Sequence, residues 1–272
     1  MAIITISMGS ATGGLLLAEG LSKTLNYKLV RREDILQDTA RFGVAAAKLE
    51  SFLFGPPTYS DEFKNGIRNY IAFFQAAICD YMQKEDVIYL GHVGHLLLRD
   101  IACVLRLRLI APKEFRIKML VERSQMTGEQ ASAYIDKIDA QRRSWTLFLY
   151  GVDWLNPSLY DLTLNLESID IETAVDIAAT AARHKKRTET EQCAQALDNM
   201  VLASKTRAEL AADPRTSPVN IEVEADAGTA TVFLKGRISS DLYDSAIEIA
   251  RSIPEVQGVD TSFLERNNPE HH

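Results

Sequence analysis

Cysteine is scarce in this 272-residue chain: Cys79, Cys103 and Cys193 are far apart and odd in number. That argues against a disulfide scaffold or a cysteine-based zinc site, and for inert thiols in a reducing, cytoplasmic compartment. Proline and glycine, at 8 and 14 residues, are too few for a low-complexity chain. No apolar run approaches the ~18 residues of a membrane span. Residues 2–6 are too short, and lack the basic flank, for a signal peptide. An excess of basic charge is also missing. The net charge is −7, so bulk electrostatics gives no reason to expect nucleic acid or an anionic membrane as partner. A nucleotide is still compatible with that balance, held by locally gathered arginines.

What is present reads as α/β. Ala2-Ile-Ile-Thr-Ile-Ser7 is a β-rich apolar run that meets a small-residue cluster, and residues 15–26 then place Leu17, Leu21 and Leu25 on one helical face. Strand, glycine turn and helix together open a parallel sheet. Further strands are expected at residues 87–90, 104–110 and 160–165, with helices over 61–84 and 113–124. Thr127-Gly-Glu-Gln130 has the form of a capping box opening a long helix towards Tyr150, and Asp170 is an expected N-cap. A basic run, Arg183-His-Lys-Lys-Arg187, reads as a solvated helix end. Beyond it the pattern predicts a helix over 198–212, strands over 219–224 and 229–235, a helix over 241–252 and a strand over 256–263. That is a small α+β module with its own core. The apolar turn at Phe52 to Pro57 borders either a ligand pocket or an interface.

Gly9-Ser-Ala-Thr-Gly-Gly14 has the position and composition for phosphate binding, since small residues let backbone N–H groups converge on an anion at a helix N-terminus. The alternative is a tight turn that binds nothing. A full phosphate loop reads G-x-x-x-x-G-K-[ST], with Lys reaching the β/γ-phosphates and the hydroxyl holding Mg²⁺. Here those two positions are Leu15 and Leu16 or, in the other register, Gly14 and Leu15. His92 and His95, three apart after a strand, are open to three readings: a metal pair lacking a third ligand, a contact to phosphate by a protonated His92, or a structural role.

The order of several segments resembles the cytidylate-kinase-like family of phosphate-loop nucleoside-monophosphate kinases. Ile4-Thr-Ile-Ser7 with Thr12-Gly-Gly14, Arg32-Glu33, Val87-Ile-Tyr-Leu-Gly91, Ala111-Pro-Lys-Glu-Phe-Arg116, Glu122-Arg123, Asp139 with Arg142, and Gly151-Val-Asp-Trp154 follow one another in family order over about residues 1–180. The resemblance implies a three-layer parallel-sheet domain over residues 1–183. Its nucleotide, ATP or another, would sit at Gly9, Ser10, Ala11, Thr12, Gly13 and Gly14 with Arg32 and His92 nearby. It also implies a mobile lid carrying Arg116, Arg123 and Arg142, with Asp139 three residues before Arg142 to share its helix face. Guanidinium forks neutralise phosphate oxygens during transfer, so these are the expected catalytic residues. The chain departs from the family at Leu15, His92 and Arg31, and β-strand 104–110 carries Arg106 and Arg108, where a buried strand is apolar on both faces.

After a linker over 184–197, residues 198–266 resemble a BON domain, a small module of bacterial proteins. The carrying segments are Asn220-Ile-Glu-Val223, Thr231-Val-Phe-Leu-Lys-Gly236 and Ala250-Arg-Ser-Ile-Pro254. The resemblance implies a docking module for a protein or lipid, or one for regulation or homo-oligomerisation. The leading expectation is a nucleotide-binding protein with a degenerate phosphate loop. Its rivals are an active ATP-dependent CMP/dCMP kinase, with Mg²⁺, and a ligand-free scaffold whose loop is plugged by Leu15 and Leu16.

Overall fold

A computed structural model describes residues 2–43, 60–187 and 191–267; the turn at Phe52 to Pro57 lies outside them. Contacts divide the chain into two units, Met1–Arg32 with Glu85–Glu189, and Glu33–Lys84 with Thr190–His272. Residues 33–84, which the sequence assigns to the 1–183 domain, cluster with the second unit.

The first unit holds a five-stranded sheet in the order β2-β3-β1-β4-β5. All pairs are parallel: β1 (Ile3–Met8) lies between β3 (Val87–Leu90) and β4 (Val104–Ile110), with β2 (Lys28–Arg31) and β5 (Leu162–Asn165) at the edges. Four of these strands match the sequence pattern. The fifth, β2, escapes it because its four residues include exposed Lys28 and Arg31, leaving too little apolar alternation. Alternation then sorts the sheet faces. Ile4, Ile6, Ile88, Leu105, Leu107 and Leu109 pack with Leu17 and Leu21 of α1 (Gly14–Leu25) and with Ala174, Ala178 and Ala182, which belong to α7 (Ile171–Arg187). The opposite face carries Thr5, Ser7, Arg106 and Arg108.

Two further helices form a pair, α5 (Lys113–Arg123) and α6 (Gly128–Tyr150). The capping box is present: the Gln130 N–H donates to the Thr127 hydroxyl at 3.3 Å and the Thr127 N–H to the Gln130 side chain at 2.9 Å. Asp170 accepts from the Thr173 N–H at 2.8 Å, as an N-cap does.

In the second unit α3 (Asp61–Met82) packs along α8 (Glu191–Ala212). Asn69 donates to the Ser217 carbonyl at 3.2 Å and Arg68 to that of Val219 at 3.0 Å. A three-stranded sheet, β6 (Glu222–Asp226), β7 (Thr231–Ser239) and β8 (Gly258–Asn267), pairs antiparallel then parallel. Val232, Leu234, Ile238 and Leu264 bury one face with Ala246, Ile249 and Ala250 of α9 (Ser240–Arg251). Cys79 is free and buried, and burial pushes its thiol up to about 12. Among the described residues no helix is long and apolar enough to cross a membrane.

Candidate functional site

The glycine turn is a shaped backbone loop between β1 and α1. Ala11 and Gly13 take positive φ, 58° and 85°, and the buried Thr12 hydroxyl donates to the Gly9 carbonyl at 3.1 Å. A Cβ on Gly14 would lie 1.9 Å from the Met8 sulfur, so the Met8 side chain occupies the space left by the glycine. No side chain caps α1, and its first turn has no acid. The positive end of the helix therefore faces the loop without an intrahelical competitor.

Leu15 and Leu16 do not close the loop. Leu15 packs against the core and Leu16 is 39% exposed. What reaches the loop is the α5–α6 pair. Arg116, in the first turn of α5, donates from Nε to the Ser10 carbonyl at 2.7 Å and from Nη2 to Asp139 at 2.6 Å. The second Asp139 oxygen accepts the Ser10 N–H at 3.1 Å. Arg142, one turn further along α6, donates to the Met8 carbonyl at 2.7 Å. Burial is the main cause pulling the Arg142 pKa down, Asp139 resists it, and Arg32 and Arg116 add to it. Guanidinium stays charged throughout the usable pH range, so Arg116 and Arg142 form one positive group beside the loop, and Arg32 acts on Arg142 through its charge. The sequence suggests that Asp139 orients Arg142; its ion-pair partner is instead Arg116 on the neighbouring helix. Arg123 is exposed in the last turn of α5, two turns beyond Arg116, and is not brought to the loop.

His92 stands behind the arginines. Its Nε2 lies 3.3 Å from the Arg142 carbonyl, and its ring meets Trp154 edge-on with centroids 4.9 Å apart. Burial, then the charge of Arg142, lowers its pKa to about 3. The ring is thus neutral near pH 7 and donates to Arg142, which leaves it no charge to offer a phosphate. His95 is held likewise: its Nδ1 is 2.8 Å from the Ser7 hydroxyl, which itself lies 3.2 Å from the His92 carbonyl. Burial, with Arg106 and Arg108, lowers its pKa to about 3 as well.

The two arginines of β4 tie down loops. Arg106 reaches the carbonyls of Arg99 and Ile101 at 2.6 and 3.2 Å. Arg108 bonds the Leu155 carbonyl and lies 5.4 Å from the Trp154 ring and 5.6 Å from that of Tyr160. The Leu-Arg-Leu-Arg-Leu alternation of residues 105–109 already signals one apolar and one basic sheet face.

The described residues do not build an Mg²⁺ cage from protein ligands alone. The first turn of α1 offers leucines where a hydroxyl would be needed, and among the described residues no group of three or more His, Cys, Asp or Glu side chains gathers. They do fit an anion, through loop amides and converging guanidinium groups.

Comparison with known proteins places two families along the chain. Residues 3–168 match the cytidylate kinase-like family, and residues 198–266 match the BON domain. A cytidylate kinase of Sulfolobus acidocaldarius is 27% identical over 175 residues, covering 64% of this chain and 90% of the relative. One from Pyrobaculum neutrophilum is 23% identical over 179 residues, covering 65% and 91%. A solved structure of an uncharacterized protein from Eubacterium ventriosum superimposes with a TM-score of 0.50 at 20% identity, covering 67% of this chain and 98% of that one. This last likeness concerns the fold alone.

Proposed function

Since the chain belongs to the cytidylate kinase-like family, we propose that it binds a nucleotide by its phosphates at the loop of residues 9–14, with phosphoryl transfer impaired. We propose also that the BON module docks a protein or lipid partner. The observation carrying the nucleotide reading is the convergence of Arg116 and Arg142 on the carbonyls of Ser10 and Met8. A bound phosphate would take the loop amides and draw both guanidinium groups from those carbonyls, exchanging neutral acceptors for a charged one. Arg32 adds long-range attraction. His92, neutral, keeps the Arg142 backbone in place.

Transfer is the weak part. Leu15 supplies no ammonium to follow the moving phosphoryl group, and Leu16 supplies no hydroxyl. The name of the relatives makes cytidylate the first monophosphate to test. Thermal unfolding should shift upwards with ATP or CMP, and less in Arg142→Ala. No shift with any nucleotide would overturn the proposal. ADP release in a coupled assay at a kinase's ordinary rate, lost in Arg142→Ala, would instead favour the active enzyme.

A further inference from the structure

We propose that the Asp139 carboxylate is an internal competitor for the anion at the glycine loop, so that a ligand phosphate binds only by displacing it. This rests on the reading of residues 9–14 as an anion site. The carboxylate makes the bonds that a phosphate would make there. One oxygen accepts the Ser10 N–H at 3.1 Å, and the other accepts Arg116 Nη2 at 2.6 Å. Arg116 closes the ring by donating to the Ser10 carbonyl at 2.7 Å. Arg116 and Asp139 are mostly shielded, with side chains 12% and 27% exposed, so water screens the pair weakly.

A phosphate and this carboxylate cannot share the position. Two negative charges about 4 Å apart repel strongly where the effective dielectric is low. Entry of the ligand therefore frees the Ser10 amide and the Arg116 guanidinium together. It also pushes on α6, where Arg142 lies three residues from Asp139 and holds the Met8 carbonyl. Opening of the α5–α6 pair and capture of the phosphate become one event. A carboxylate carries a single charge, so the ligand able to replace it is a dianionic or polyanionic phosphoryl group.

The neighbouring Asp136 supplies the control. It sits on the same helix and pairs with Lys113 at 2.7 Å, away from the loop amide. Calorimetric titration with inorganic pyrophosphate should show affinity at least about tenfold tighter in Asp139→Asn than in the native chain, the size expected when a charged hydrogen bond no longer competes. Asp139→Ser should behave alike if Asn disturbs the helix, and Asp136→Asn should stay within about twofold. Amide exchange across residues 113–142 should be faster in unliganded Asp139→Asn, and the native chain should approach that rate once pyrophosphate is added. Equal or weaker binding by both Asp139 variants would overturn the competition and leave the loop as an anion site. Equal tightening by Asp136→Asn would also overturn it, by reducing the effect to net charge. If the native chain and every variant fail to bind pyrophosphate or ATP, the loop reading falls and takes this proposal with it.

Discussion

The Arg116 guanidinium lies 3.0 Å from the point that a Cβ on Gly9 would occupy. This distance ties a residue of the first loop to one more than a hundred positions later, and makes Gly9 a space-giving residue for the arginine. Gly9→Ala should therefore act on binding more than on folding. The arginine is the far end of a flexible side chain and can retreat, so stability should change by less than ~1 kcal/mol. A methyl group there would hold the guanidinium away from the loop, where a phosphate would have to meet it, and nucleotide affinity should fall about tenfold. Paired thermal-unfolding and calorimetric measurements separate the two; a large loss of stability with unchanged affinity would refute the assignment.

Thr127→Ala tests how the basic residues are positioned. It removes the side-chain half of the box that starts α6, which should cost about 1 kcal/mol of stability. Because α6 carries Asp139 and Arg142, nucleotide affinity should weaken as well, by a few-fold. Thr127→Ser keeps the hydroxyl and should restore both. Urea denaturation and nucleotide titration of the two variants provide the check.

How far the sequence reaches is clear from individual residues. The β1–loop–α1 unit is legible because β-branched residues, a small-residue cluster and a leucine stripe each specify one element. The Thr127 box is legible because its partner is three residues away. Asp139 is legible as a candidate site residue but not in its pairing, since Arg116 lies 23 positions distant on another helix. His92 stays open to metal, phosphate and structural readings because nothing local reports that Trp154 will meet its ring edge-on. The bonds from Asn69 and Arg68 to residues 217 and 219 are likewise tertiary and leave no periodic trace.

In the second unit Gly236 takes φ 138°, and a Cβ there would lie 2.7 Å from the Asn220 carbonyl oxygen. Unlike the arginine at Gly9, this neighbour is backbone and cannot retreat cheaply. Gly236→Ala should cost at least ~2 kcal/mol through combined strain and clash. Chemical denaturation measures this. A variant as stable as the native protein would show that β7 can shift without cost.

The half-buried His92 and the buried His95 set a pH dependence. His92 and His95 have pKa values lowered from 6.5 to about 3, burial being the first cause in each. Between those limits the unfolded chain binds protons that the folded chain refuses. Stability contributed by the neutral rings is thus complete above pH 6.5 and declines as pH falls towards 3, by up to ~1.4 kcal/mol per unit for each ring. The urea midpoint should accordingly drop between pH 7 and pH 5. His95→Gln keeps a donor for Ser7 without a titrating ring and should lose roughly half of that drop. His92→Gln should do the same, and in addition should keep its bond to the Arg142 carbonyl and so retain nucleotide affinity at pH 7. If the drop is undiminished in both variants, the rings are not the groups that titrate on unfolding, and the decline must come from carboxylates.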